Sequence, residues 1–228
     1  MTPIYRVSNL AAYSRWKDGE SDDVGWLYNQ IFDNQTTDAM SKGTAFHSAL
    51  EKAATGNYST VSANGYTFAF TCDAEIVLPK TREIRMSKDY GGIIVSGQCD
   101  GIAGRVIDDH KTSHQFDAED HLEGWQHKFY LDIFDADVFR WHVWVMNELK
   151  VECNCPSPFD KGDYSGDFCP LHGLPEYRRD PAKAYNVREY HLLKQYRYPE
   201  LEGDCRGLAH EFRDFATARG WNGSRAAA

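Results

Sequence analysis

The chain has 228 residues, of which 42% are hydrophobic and 14% aromatic, and its formal net charge is −9 at pH 7. This length and composition are typical of one ordered globular domain and exclude an intrinsically disordered protein. The acidic balance also excludes a protein that coats nucleic acid with its whole surface, so any such contact would be confined to a local groove.

Targeting signals are missing from the sequence. It contains no run of about 18 apolar residues, the length that a membrane helix needs, and residues 1–6 lack an apolar secretory stretch. The six cysteines are too dispersed for a secreted disulfide scaffold. We therefore expect a cytoplasmic protein that makes no membrane contact. Because residues 226–228 are typical of a cloning remnant, the predicted domain is 1–225.

Apolar spacing and turn residues predict helices and strands along the chain. Ser8 is the predicted cap of the first helix. The predicted elements, in chain order, are helices at 8–16, 24–32 and 42–54, strands at 73–78, 81–87, 93–102 and 105–111, a helix at 120–135, strands at 138–149 and 185–192, and a helix at 201–215. A Cys/Pro/Gly-rich insertion occupies about 150–182. This order predicts an α/β fold in which a mixed central β-sheet is flanked by helices.

Two acids and a lysine lie on neighbouring predicted strands. Asp100 follows Gly97-Gln98-Cys99, and Asp109 and Lys111 are two residues apart on the next strand, so they share one face. His110 points to the other face, but its main-chain carbonyl stays close. Carboxylates are ligands for Mg²⁺, and a nearby ammonium can orient water or neutralise a phosphate. The alternative is a cross-strand salt bridge on an exposed sheet.

Two helices carry polar pairs at a spacing of four residues, which places each pair on one helix face. His47 and Glu51 form the first pair, and histidine is a frequent ligand of Mn²⁺ at mixed sites. Gln126 and Tyr130 form the second, and their side chains can bind phosphate oxygens or hold a lysine in position. The alternatives are a solvated His–Glu pair and an amphipathic core helix with a polar edge.

The four motifs together resemble a known family. The motifs follow one another in the chain: Gly-x-x-x-His-x-x-Leu-Glu from Gly43, Gly-x-x-Asp-Gly from Gly97, Asp-x-Lys-Thr from Asp109 and Gln-x-x-x-Tyr from Gln126. This order resembles the RecB-type exonuclease branch of the PD-(D/E)xK nuclease superfamily, including RecB-like exonucleases of phage and CRISPR systems. The resemblance spans roughly residues 5–150 and implies a restriction-endonuclease-like core within a single nuclease domain.

The resemblance also implies roles for individual residues. By this resemblance, Mg²⁺ or Mn²⁺ would be held by His47, Asp100, Asp109 and the main-chain carbonyl of His110. Lys111 would be the catalytic lysine, and Gln126 and Tyr130 would support Lys111 or the nucleic-acid strand. Glu51 would be an accessory residue. The implied activity is metal-dependent hydrolysis of DNA, most simply as an exonuclease in recombination, repair or phage replication. DNA with free ends is the expected substrate, and a recombination protein or helicase is an expected partner.

Two other functions are compatible with the same residues. One is a structure-specific endonuclease, because the motifs do not separate cleavage at an end from cleavage within a strand. The other is a catalytically silent DNA-binding module. The presence of Asp100, Asp109 and Lys111 argues against the silent module.

The cysteines bear on a second metal. Some members of the branch hold an iron–sulfur cluster with one cysteine before the His motif, but Arg15-Trp16 occupy that place here, so we do not expect such a cluster. Cys153, Cys155, Cys169 and His172 instead suggest a structural Zn²⁺ site. The alternative is a loop with unconnected, reduced cysteines.

The remaining histidines and two tryptophans have simpler interpretations. His114, His121 and His142 are predicted to be polar surface or strand residues and not ligands. Trp141 and Trp144 lie in a predicted strand, where we expect them to pack the sheet and not to stack on bases.

Overall fold

The computed structural model describes residues 2–19, 23–33, 36–148 and 183–221. Its helices are α1 (Val7–Lys17), α2 (Val24–Phe32), α3 (Asp38–Lys52), α4 (Glu119–Leu122), α5 (Gln126–Ile133) and α6 (Leu201–Ala218). Its strands are β1 (Ile4–Arg6), β2 (Thr60–Ala63), β3 (Tyr66–Phe70), β4 (Thr81–Asp89), β5 (Ile94–Ala103), β6 (Val106–Ser113), β7 (Val138–Glu148) and β8 (Ala184–Tyr196). Within these residues, no helix has the length and apolarity needed to cross a lipid bilayer.

The strands form one mixed sheet. Its path is β1-β5-β6-β7-β8-β3-β2, and β4 pairs with β5 on the side away from β1. Three pairs are parallel (β1/β5, β6/β7 and β3/β8), and four are antiparallel (β4/β5, β5/β6, β7/β8 and β2/β3). The parallel β6/β7 pair needs a crossover, which α4 and α5 supply. The predicted α/β fold, a mixed central sheet flanked by helices, is confirmed.

Helices cover both faces of the sheet. One core cluster joins α1, α5 and α6 to the sheet through residues such as Leu10, Phe129 and Phe212. A second cluster, on the other face, contains Phe46 of α3 and Trp144 of β7. Strand β7 is therefore buried on both sides, which explains its high content of large apolar residues.

Two contacts fix the helices that carry the predicted site residues. The guanidinium of Arg82 donates to the carbonyls of Leu50, Glu51 and Ala53, so a β4 side chain satisfies the C-terminal end of α3. At the end of α5, the buried carboxylate of Asp132 accepts hydrogen bonds that tie it to neighbouring elements. Its donors are Lys88, Tyr90 and Arg197, at 2.7–3.1 Å. Both helices are thus anchored to the sheet at their C-terminal ends.

Most predicted elements are confirmed. Helix α2 has the predicted bounds, β4, β5, β6 and β7 lie within one or two residues of the predicted ends, and α6 extends three residues further than predicted. Helix α3 begins four residues earlier than predicted, because the Thr37 hydroxyl accepts a hydrogen bond from Met40 N and caps it. Strand β8 begins one residue earlier and extends four residues further than predicted. The insertion at 150–182 lies outside the described residues.

Three predictions were wrong. Ser8 does not cap α1 but lies inside it, and the Arg6 N–H donates instead to Asn9 Oδ1 at 2.8 Å. Residues 73–78 are not a strand, because only Ile76 forms a bridge, to Gly56. The predicted helix at 120–135 is split into α4 and α5, with Gly124 at the break, and glycine is a poor helix former.

Strands β1, β2 and β3 were not predicted, although the β2/β3 hairpin left a signal. Asn64 and Gly65 join the two strands, and both have positive φ angles of 53° and 78°. An Asn-Gly pair between β-rich segments is typical of a two-residue hairpin turn of this conformation. Residues 60–70 could therefore have been identified from the sequence.

Gly97 is required by close packing, and this gives a prediction. A Cβ at Gly97 would lie 2.6 Å from Tyr130 Cε1 and 3.0 Å from Val7 Cγ2. We expect Gly97→Ala to lower the free energy of unfolding by about 1–3 kcal/mol, as overpacked cores do, in urea denaturation. Gly203→Ala is the matched control, because Gly203 lies in α6 with no atom within 4 Å of the added Cβ; that change should stabilise the helix by about 0.5–1 kcal/mol. Equal effects of the two changes would contradict the packing argument.

Candidate active site

Asp100 lies where strands β5 and β6 separate. The ladder between them covers only Gly101–Ala103 and Val106–Asp108. Beyond it, the His110 main-chain N–H donates to Asp100 Oδ2 at 2.7 Å, so a carboxylate replaces a strand carbonyl as the hydrogen-bond acceptor. The side chain of Asp100 is thereby fixed between the two strands.

His47 reaches Asp100 from helix α3. The helix passes close to β6 at Gly43, where an added Cβ would lie 3.6 Å from Thr112 Oγ1, an ordinary van der Waals contact. His47 Nδ1 lies 3.3 Å from Asp100 Oδ2. Burial would lower the pKa of His47, but the hydrogen bond and charge of Asp100 raise it overall. Burial would likewise raise the pKa of Asp100, but the hydrogen bond and charge of His47 lower it to about 2.

Asp109 and Lys111 form an ion pair beside Asp100. Lys111 Nζ lies 2.8 Å from Asp109 Oδ2, yet this buried oxygen has no hydrogen bond of favourable angle. Burial raises the pKa of Asp109 to about 6; Lys111 opposes the rise and the Asp100 carboxylate adds to it. Burial would lower the pKa of Lys111, but the charges of Asp109 and Asp100 raise it overall. Lys111 therefore stays charged at neutral pH.

Helix α5 contributes both of its predicted residues, through indirect contacts. Gln126 Nε2 donates to Asp109 Oδ1 at 3.4 Å. Tyr130 donates from its hydroxyl to the main-chain carbonyl of Gln98 at 2.8 Å, and its ring packs against Gly97. Gln126 thus steadies Asp109, which holds Lys111, and Tyr130 braces strand β5 close to Asp100.

Glu83 is a site residue that the sequence analysis missed. It lines a cleft with His47, Glu51 and Asp100. Its φ angle of 52° is rare for a residue with a side chain, and Gln98 Nε2 donates to its Oε2 at 2.6 Å. Desolvation raises the pKa of Glu83, the Gln98 hydrogen bond opposes this, and the Asp100 and Glu51 charges add to the rise. No local pattern marked Glu83, because its place depends on the pairing of β4 with β5.

His110 has different partners on its ring and its main chain. Its imidazole is buried on the opposite face, where Nδ1 accepts from Trp144 Nε1 at 3.1 Å and the ring stacks on His142 at 4.6 Å. Burial lowers the pKa of this imidazole to about 3, so the ring is neutral. The side chain is thus occupied in packing, and only the main chain of His110 faces Asp100.

The donor set suits a hard divalent cation. Within the described ranges, no group of three or more His, Cys, Asp or Glu side chains is arranged so that it could hold a metal ion by itself. Asp100 and Asp109 could nevertheless supply two oxygen ligands, with His47 and the His110 carbonyl beside them. A buried carboxylate oxygen of Asp109 that lacks a hydrogen bond fits such an ion, because Mg²⁺ binds few protein oxygens and keeps several waters.

The other predicted metal sites concern cysteines. The predicted Zn²⁺ ligands lie outside the described residues; they are Cys153, Cys155, Cys169 and His172. Three cysteines, all unpaired, are described. Cys99 and Cys205 are buried in the first core cluster, whereas Cys72 is half-buried against the second cluster, on the other face of the sheet.

Comparison with known proteins gives only distant likenesses. No family model and no curated protein matches the chain. The crystal structure of SSO0001 is similar at 13% identity and a TM-score of 0.45, over 94% of this chain and 77% of that one. A phage-related exonuclease from Haemophilus somnus 129PT is similar at 11% identity and a TM-score of 0.40, over 93% and 82%. At these values the likeness says nothing about what this chain binds or catalyses.

Proposed function

We propose that this chain is a divalent-metal-dependent deoxyribonuclease of the RecB-type branch of the PD-(D/E)xK superfamily. The observation that carries the proposal is a set of two ion pairs whose charges act on each other: Lys111 Nζ lies 2.8 Å from Asp109, and His47 Nδ1 lies 3.3 Å from Asp100. These residues come from two strands and a helix. An isolated surface salt bridge would require neither the histidine nor the burial of Asp109.

His47, Asp100, Asp109 and the His110 carbonyl would hold Mg²⁺ or Mn²⁺. Such an ion, when bound, supplies positive charge to a phosphate oxygen and lowers the pKa of a water molecule. Lys111 places a second positive charge beside the same point, where it offsets the negative charge that accumulates on a phosphate under attack. Asp109 orients this ammonium, and Gln126 restrains Asp109 through its amide. Glu51 and Glu83 add negative charge at the cleft, which favours a cation there.

We further propose that the enzyme acts as an exonuclease on DNA with free ends, in recombination, repair or phage replication, with a helicase or recombination protein as partner. This step rests on the resemblance of the four motifs, in their order, to the RecB-type exonuclease branch. A structure-specific endonuclease and a silent DNA-binding module remain the competing functions. A structural Zn²⁺ held by Cys153, Cys155, Cys169 and His172 is a separate proposal, tested by metal analysis of Cys153→Ser.

The proposed function is tested with end-labelled linear DNA and covalently closed circular DNA, each incubated with Mg²⁺ or Mn²⁺. An exonuclease degrades the linear DNA and leaves the circle intact, because it needs an end. Nicking of the circle would instead identify an endonuclease. If the protein binds linear DNA but cleaves neither substrate with either ion, the silent module is the correct interpretation. EDTA should abolish any cleavage that depends on the ion.

A further inference from the structure

Arg85 is an exposed cation without an acidic partner. Many arginines in this acidic chain neutralise a carboxylate, as Arg105, Arg140 and Arg197 do. Arg85 forms no ion pair within the described part of the chain, and its hydrogen bond is to a neutral amide, from Nη2 to Gln98 Oε1 at 3.0 Å. A guanidinium carries five donor hydrogens, so most of those on Arg85 remain available.

Gln98 holds Arg85 in a defined place beside the cleft. The two residues lie opposite each other on β4 and β5. The Gln98 amide accepts from Arg85 on one side and donates to Glu83 Oε2, at 2.6 Å, on the other. Its main-chain carbonyl accepts from Tyr130. Gln98 is therefore restrained at three atoms. Its side-chain amide connects Arg85 to Glu83, the acid that lines the cleft with Asp100.

The charges around the cleft require such a cation if a nucleic-acid strand is to enter. Glu51, Glu83 and Asp100 repel phosphates, and Lys111 is already paired with Asp109. A strand has a phosphate on each side of the one being cleaved, and these neighbours need positive charge of their own. Arginine suits this task because its planar fork binds two phosphate oxygens at once.

We propose that Arg85, oriented by Gln98, binds the backbone phosphate adjacent to the scissile one. This inference rests on the proposed nuclease function and names the part of the DNA that β4 contacts. Arg85 is a substrate-binding residue and takes no part in the chemical step, so its loss changes the affinity for DNA. Gln98 is a positioning residue that acts through Arg85.

The experiment measures two quantities on Arg85→Ala. One is the Kd for a fluorescent oligonucleotide, by anisotropy in EDTA, where hydrolysis is stopped. The other is the pair kcat and KM with Mg²⁺. We expect Kd and KM to rise about 10-fold with kcat nearly unchanged, as loss of a charged hydrogen bond predicts. The slope of log Kd against the logarithm of the salt concentration should fall by about 1. Arg85→Lys should keep the slope and recover part of the affinity.

Arg206→Ala is the matched control, because Arg206 is an exposed α6 residue paired with Glu202 and its loss changes the net charge equally. Gln98→Ala should weaken binding by a smaller factor and add nothing to Arg85→Ala. If Arg85→Ala behaves like Arg206→Ala while the wild type cleaves DNA, the inference is wrong and the nuclease function stands. If the wild type binds without cleaving and Arg85→Ala binds about 10-fold more weakly, Arg85 binds a backbone phosphate, but the nuclease function and the place of that phosphate beside a scissile one are wrong.

Discussion

Replacing Lys111 with methionine is expected to lower kcat for DNA cleavage by about 10³-fold, the size of effect seen when a charged group at a reacting centre is removed. Methionine keeps an unbranched side chain but removes the ammonium that lies 2.8 Å from Asp109. The charges of Asp109 and Asp100 raise the pKa of Lys111 despite its burial, so the wild-type residue is positive throughout the neutral range. The measurement is single-turnover cleavage of labelled linear DNA at saturating Mg²⁺ or Mn²⁺.

Lys111→Met should also change how the stability of the protein depends on pH. Without Lys111, the buried Asp109 carboxyl loses the charge that opposes the rise of its pKa, which is already about 6. A carboxyl with a raised folded-state pKa is destabilising when ionised, so Lys111→Met should be less stable at pH 8 than at pH 5 relative to wild type. Lys128→Met is the control, because Lys128 lies 4.2 Å above the Trp125 ring and has no acid partner in the described chain. Cleavage by Lys111→Met at the wild-type rate would refute the proposed role of Lys111.

The residues of the site that depend on spacing within one element could be predicted from the sequence. Asp109 and Lys111 share a strand face and form an ion pair, and Gln126 and Tyr130 share a helix face, from which they contact Asp109 and β5. The specific contacts could not be predicted. Tyr130 binds the main chain of β5, because a glycine at position 97 opens space for its ring.

Residues placed by pairing between strands were not predictable in the same way. Glu83 lies in a largely exposed strand, and it reaches the site through a positive φ angle that the strand pattern does not reveal. Arg82 is similar, because its side chain caps a helix that lies about 30 residues earlier in the chain. Both roles depend on contacts between distant segments, which single-sequence patterns do not contain.

On the opposite face of β6, too, the contacts between strands could not be predicted from the sequence. His142 was predicted to be a polar surface or strand residue; it lies in β7, but it is buried, with 1% exposure. Its Nε2 lies 2.7 Å from Asp108 Oδ1, and its Nδ1 lies 2.8 Å from the Tyr190 hydroxyl. Arg140 donates to both oxygens of Asp108, at 2.6 and 2.8 Å. This buried network holds β6, β7 and β8 together directly behind Asp109 and Lys111.

Replacing Asp108 with asparagine is therefore expected to cost about 3–5 kcal/mol of unfolding free energy at pH 7, the range for breaking one partner of a buried ion pair. The carboxylate is fully buried, so the variant leaves the half-buried Arg140 guanidinium without its partner. An amide has one acceptor oxygen, whereas Asp108 accepts three hydrogen bonds with two. Urea denaturation measures the loss.

The pH dependence identifies the charge as the cause. Burial would raise the pKa of Asp108, but the hydrogen bonds from His142 and Arg140 lower it below the ordinary value of 3.8. A carboxyl with a lowered folded-state pKa stabilises the protein above its unfolded-state pKa, and this contribution disappears as the pH falls through the folded-state pKa. The stability difference between wild type and Asp108→Asn should therefore be largest at pH 7 and shrink below about pH 4.

Asp137→Asn is the control for this pH dependence. Asp137 also pairs with an arginine, Arg105, but on the surface, where solvent screens the interaction. We expect its replacement to change the stability little at any pH. If the difference between wild type and Asp108→Asn stayed constant from pH 7 to pH 3, the loss would come from packing and not from the buried charge. A difference that shrinks with falling pH would place a buried ion pair directly behind the strand that carries Asp109 and Lys111.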